Sequence, residues 1–216
     1  MINASPSNPP YSLLLIKELY KNSIQVSISC HVHSTVKSLP EISERFNDAE
    51  SGQNDALKLL LIWKEGKNLK SMITLNIKRK FKKNIFLISD LLDTELVIHP
   101  VKQIAIKGEI NILRYLGRLG LSSLGYPSDD VVTTIQIDNV LDTCHRLLHV
   151  RTAKEKTSIY RNLNAKLGKG SYFGGENVNI IDIAAWSVLK QACANPGSDL
   201  TQNLVKWFQR IEQLLE

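Results

Sequence analysis

Within residues 104–120, IAIKGEINILRYLGRLG, the pair Gly108-Glu109 stands where a helix begins. Helix starts carry unpaired N–H groups and hold anions well. A carboxylate there either belongs to an active site or fills the seat an anion would take. Three hydroxyls, Ser7, Tyr11 and Ser12, gather around Asn8-Pro9-Pro10, where capping and surface roles are the plainer reading. His31 and His33 are two apart on a probable strand, next to Cys30, and so face one side. Two ligands without a third make no metal site, and no metal or cofactor is expected. No Ser/His/Asp order, phosphate loop or carboxylate pair stands out.

The charge is local. Lys78, Arg79, Lys80, Lys82 and Lys83 supply five cations in six residues, against a net charge of +6 for the chain. Such a run is usually a solvated loop, and with only Phe81 beside it base stacking has little support. Nucleic acid is therefore expected to bind weakly if at all. A tRNA-binding module on 78–83 stays as an alternative. A hydrophobic content of 43% with 22% charged residues gives an ordinary globular chain, not a disordered one.

Cys30, Cys144 and Cys193 are odd in number and form no Cys-x-x-Cys, which fits free thiols in a reducing compartment. Residues 1–10 do not read as a signal peptide, and no apolar run reaches bilayer length. The expected location is the cytosol, with the nucleus as a second compartment and no membrane partner.

The elements that must position these residues fall into two halves. In the first, 10–21 read as a helix, 24–30 as a strand, and Ser38-x-x-Glu41 as a capping box opening a short helix to Phe46. LKLLLIW (57–63) and SMITLNI (71–77) read as a hairpin about Gly66-Lys67-Asn68. Residues 78–103 read as an insertion. From Gly108 onward, 109–119, 128–149, 153–167, 179–193 and 199–215 read as helices. In the longest, Val132, Ile135, Asn139, Leu141 and Leu148 share roughly one face. The boundary between an α/β unit (1–120) and an all-α unit (121–216) is thus placed near Gly120.

The strongest local signal is YFGGENVNIIDIAAWSVL (172–189). Asn179 can cap a helix while Asp182, three residues on, reaches back to the cap N–H. Val178 and Ile183 suit a hydrophobic staple, and Trp186 enters the core.

A Gly-rich turn, a polar cap, Asp and an apolar helix resemble the sixth helix of glutathione S-transferases. The order of halves is similar too. The resemblance implies a glutathione S-transferase-like fold: α/β plus all-α, with a thioredoxin-like N-terminal half and a helical C-terminal half. HVHSTVKSLPE (31–41), LLIWK (60–64), IKGEINILRYL (106–116), YRNLNAKLGK (160–169) and NIIDIAAWSVLKQ (179–191) resemble the transferase-like scaffold subunits of the multi-aminoacyl-tRNA synthetase complex.

An active transferase of that fold needs a hydroxyl or thiol donor near the first helix to stabilise a thiolate. Here that slot falls in Asn8-Pro9-Pro10, and proline has no donor. It also needs a Glu/Gln-Ser pair at the third helix to hold the glutathione carboxylate. Here the pair is Gly108-Glu109, and a carboxylate repels the incoming one. The usual proline before the third strand is missing as well, since none lies between Pro40 and Pro100. The expectation is a non-enzyme in which Glu109 satisfies the start of its own helix, with a divergent glutathione-dependent transferase as the alternative.

The resemblance further implies helix-face docking. One face would combine Val36, Lys37, Leu39, Ile42 and Arg45 with Asn111, Arg114, Tyr115 and Arg118, and would meet the transferase-like domain of glutamyl-prolyl-tRNA synthetase. A second, with Trp207 and Arg210, would meet aspartyl-tRNA synthetase. Self-association of the isolated domain is a further expectation. The leader and leucine zipper of that family find no counterpart in these residues, so contacts with lysyl-tRNA synthetase are not expected of them.

Overall fold

The computed structural model describes residues 1–20, 26–46, 57–64, 93–99, 104–119, 124–127 and 129–215. Segment 71–77, the basic run 78–83 and most of the expected insertion lie outside them. Strand β1 (Ile2–Ala4), helix α1 (Tyr11–Leu19), strand β2 (Val26–Val32), the short helix α2 (Ser43–Phe46) and strand β3 (Leu57–Trp63) come first. Strands β4 (Glu95–His99) and β5 (Ile104–Lys107) then lead into α3 (Glu109–Arg118).

The five strands form one sheet in the order β2-β3-β1-β4-β5. β2 and β1 flank β3 in parallel, with Cys30 and Ile2 both opposite Leu61. β4 runs antiparallel to β1 and β5. The hairpin expected between 57–63 and 71–77 falls partly on residues outside those described. β3 is an interior strand with parallel neighbours, which accounts for its near-continuous apolar run. Glu95–His99 is not part of an insertion but a strand of the sheet. The capping box at Ser38 and Glu41 does not open a helix there, because α2 starts only at Ser43.

The helical half is α4 (Val131–His149), α5 (Ala153–Leu167), α6 (Ile180–Ala192), α7 (Pro196–Asp199) and α8 (Gln202–Gln213). Asp130 and Thr152 cap α4 and α5 by accepting from Thr133 and Glu155 N–H groups. The core of α4 is built by Ile137, Val140, Leu141, Cys144 and Leu147. Val132 and Ile135, expected on the apolar face with Leu141, are 66% and 63% exposed. Among the described residues no helix is long and apolar enough to cross a membrane.

One continuous core joins the halves. Leu13, Leu14, Leu15 and Ile16 of α1 are buried with Ile180, Ile183, Ala184 and Trp186 of α6. Tyr11 meets Trp186 edge-on at 6.0 Å, and Phe46 meets Trp63 at 5.6 Å.

Candidate functional site

The expected Asn179–Asp182 capping box is present. Asn179 Oδ1 accepts from the N–H groups of Ile181 (2.8 Å) and Asp182 (3.3 Å), and Asp182 Oδ2 accepts from Asn179 N–H (3.0 Å). Asp182 does more than cap. It is fully buried, and its Oδ1 also accepts from Phe173 N–H (2.9 Å) and the Trp207 indole N–H (2.8 Å). Burial pushes its carboxyl above the usual carboxylate range, while these donors pull it back. One acid therefore ties the Gly174 turn, α6 and α8 together.

Glu109 behaves differently from the expectation. It is 5% exposed and does not serve its own helix, whose cap, Gly108, makes no side-chain hydrogen bond. Its Oε1 accepts from Ser12 N–H (2.9 Å) and the Ser187 hydroxyl (2.6 Å), and its Oε2 from Gln191 Nε2 (2.6 Å). Gln191 Nε2 also approaches the Pro9 carbonyl at 3.2 Å.

The reason lies in α1. Pro10 is its cap and has no side chain to offer, and its first turn holds no acid. Its orphan N–H at Ser12 takes a carboxylate from α3 instead. The carboxylate seat is thus full, closed by donors from both halves of the chain. Gly108 has φ +89°, a left-handed conformation that favours glycine.

Of the hydroxyls expected near a thiolate, Ser7 bonds Ser5 (2.8 Å), Ser12 is buried and Tyr11 lies against Trp186. Beside Tyr11 is a cleft of about 250 Å³, lined by Leu14, Ile42, Arg45, Trp186 and Leu215 with the Lys190–Glu212 ion pair. His31 and His33 are exposed, and His33 Nδ1 bonds Thr35. Among the described residues no group of three or more His, Cys, Asp or Glu is placed to hold a metal.

Of the eleven docking candidates, five lie in or just before α2, four on α3 and two on α8. α2 packs on β2 at one sheet edge, and α3 on β4 and β5 at the other. Those edges are about 19 Å apart at ordinary strand spacing. Val36 and Ile42 are half-buried, whereas Lys37, Leu39 and Arg45 are exposed, with Arg45 Nη2 donating to the Leu215 carbonyl (3.1 Å).

On α3, Arg114 is engaged within the chain. It donates to Asp138 (2.7 Å), Asp142 (2.5 Å) and Asn111 (2.9 Å), clamping α3 to α4. Arg118 donates to the Tyr126 hydroxyl (3.2 Å) and is exposed. Tyr115 is half-buried, and Asn111 Nδ2 donates to the Lys107 carbonyl. Trp207, 1% exposed and bonded to Asp182, is core and offers no docking surface. Arg210 donates to the Ser171 carbonyl and lies over the Tyr172 ring.

A mixed sheet with α1 and α3 seated on α6 defines a glutathione S-transferase-like fold. A glutathione S-transferase-like protein of Lodderomyces elongisporus superposes with a TM-score of 0.53 at 15% identity, covering 99% of this chain and 93% of its own. Residues 1–82 match a thioredoxin-like domain family. Along its whole length the chain is similar to aminoacyl tRNA synthase complex-interacting multifunctional protein 2. The identity is 30% over 221 residues with the probable Drosophila melanogaster protein of that name, 30% over 218 with that of Bos taurus and 29% over 221 with that of Homo sapiens. These alignments cover 99–100% of this chain but 58% of each relative.

Proposed function

We propose that the chain is a non-catalytic scaffold domain of a cytosolic multi-aminoacyl-tRNA synthetase complex, holding synthetases by their own transferase-like domains. The observation that carries this reading is the Glu109 carboxylate. The position where an active relative would bind the glutathione carboxylate holds an acid of the chain itself, and Ser12, Ser187 and Gln191 already bond it. A second carboxylate beside it would be repelled. The names of the relatives supply the partner class.

Two separate surfaces suit docking. One is the α2 edge with Lys37, Leu39 and Arg45. The other is the α3 edge, where Asn111 and Arg118 remain exposed. The first partners assigned are the transferase-like domain of glutamyl-prolyl-tRNA synthetase and aspartyl-tRNA synthetase. The test is mass spectrometry of proteins co-purifying with the chain, with Leu39→Asp and Arg118→Glu as surface variants. Recovery of synthetases that one variant abolishes supports the reading. Absence of synthetases, together with retention on immobilised glutathione and turnover of an electrophile, overturns it.

A further inference from the structure

The basic run at 78–83 draws the eye in the sequence, but a second concentration of charge is set on a rigid element. From Arg151 to Gly170 the chain carries six cations, Arg151, Lys154, Lys156, Arg161, Lys166 and Lys169, against one acid, Glu155. Glu155 is spent at the start of α5, where it accepts from the Thr152 hydroxyl (2.6 Å). Lys156 donates to the Ala192 carbonyl. The other five cations are exposed, and among the described residues none is ion-paired.

Geometry concentrates them. Ile159, Tyr160, Leu163 and Leu167 bury one face of α5. Lys154 and Arg161, seven residues apart, therefore stand in line on the outer face, about 10 Å from each other. Ser158, Asn162 and Ala165 share that face, with Lys166 on its flank. Lys169 follows the Gly168 cap. Asn203 of α8 donates to the Gly168 carbonyl (2.8 Å), which brings exposed Lys206, one turn on, toward the same end.

An exposed helix usually relieves such charge with acids three or four residues away. Here those positions hold Ser158 and Ala165. Protein interfaces are poor in lysine and anchored by aromatic side chains, and no exposed large apolar residue lies in 151–170. A row of Lys and Arg with Ser and Asn between them suits a polynucleotide backbone, whose phosphates accept from all four types.

We infer that the outer face of α5 binds the phosphate backbone of RNA, without reading its sequence. The choice of RNA over DNA rests on the proposed place in a synthetase assembly; the charge geometry does not. The face is distinct from the α2 and α3 edges, so RNA and protein docking can be lost separately.

The test is fluorescence anisotropy of the purified chain with labelled bulk tRNA over a salt series. The variant is Lys154→Ala/Arg161→Ala/Lys166→Ala, which keeps helix propensity. A second variant replaces Lys78, Lys80, Lys82 and Lys83 by Ala. The α5 variant should bind about tenfold or more weakly at low salt. Its plot of log affinity against log salt should flatten by about 2, as three phosphate contacts are lost. The result is overturned if tRNA fails to bind, if the α5 variant binds unchanged while the 78–83 variant does not, or if polyglutamate or duplex DNA binds as tightly as tRNA. These assays need no synthetase, so failure of the scaffold reading would show in the co-purification alone.

Discussion

Glu109 Oε1 lies 2.6 Å from the Ser187 hydroxyl, across 78 residues of sequence and across the junction between the α/β and helical halves. The same oxygen accepts from the start of α1, so one carboxylate fixes α1, α3 and α6 relative to one another. Replacing it takes a charged acceptor from three donors, although Ser12 N–H keeps the Ser187 hydroxyl oxygen (3.1 Å) and Gln191 Nε2 the Pro9 carbonyl (3.2 Å). Glu109→Ala should lower stability by about 2–4 kcal/mol in urea denaturation. Glu109→Gln keeps an acceptor oxygen but turns an amide N–H₂ toward Gln191, and should cost about half as much. Equal stability of wild type and Glu109→Ala would rule this role out.

Asp182 should be costlier still. Asp182→Ala removes the box to Asn179 and orphans Phe173 N–H and the Trp207 indole, so about 3–5 kcal/mol is expected. Trp207 fluorescence should shift red at lower urea concentration than in the wild type.

Arg114 is a clamp before it is a docking residue. Its side chain is 15% exposed and bridges two acids of α4, Asp138 and Asp142. Arg114→Ala should cost about 1 kcal/mol, since Asp142 is largely solvated. In a double-mutant cycle with Asp138→Ala the coupling should be measurable. Loss of a partner on Arg114 charge reversal is therefore interpretable only where the melting temperature is preserved.

His145 predicts a pH dependence. Burial first, then neighbouring His149, holds its imidazole below the ordinary 6.5; Asp93 and Asp142 oppose this, and Arg114 adds to it. The unfolded chain therefore takes up this proton at higher pH than the folded one. The contribution is complete above about 6.5 and is lost as pH falls from there toward the folded value. Urea midpoints should drop across that window, and His145→Leu should flatten the drop.

The Cys144 thiol is fully buried and pushed up to about 12, chiefly by that burial. A thiol reagent at neutral pH should label it only on unfolding. Rapid labelling in the native state would mean that α4 opens locally.

The α6 cap was legible in the sequence because its partners stand three residues apart, and the periodic helices because each buries one face. The misses have physical causes. β1 and β5 are three and four residues long, too short for a period to show. β4 followed a long unpatterned stretch, so its five residues passed as insertion. On α4 the apolar residues form two overlapping stripes, and only packing against α6 selects the one through Ile137, Val140 and Cys144.

Sequence alone determined the two-part layout, the Asn179–Asp182 cap and the arrival of an acid at the start of α3. Those features depend on neighbours within a turn or on a repeating face. Tertiary structure decided what the acid does. Glu109 passes over its own helix to the start of α1 because prolines leave that helix uncapped and α6 brings Ser187 and Gln191 alongside. It also decided that Arg114 is held and Trp207 buried, and that α2 and α3 occupy opposite sheet edges. Partners far apart in the chain are set by how the elements pack, and no local pattern encodes that distance.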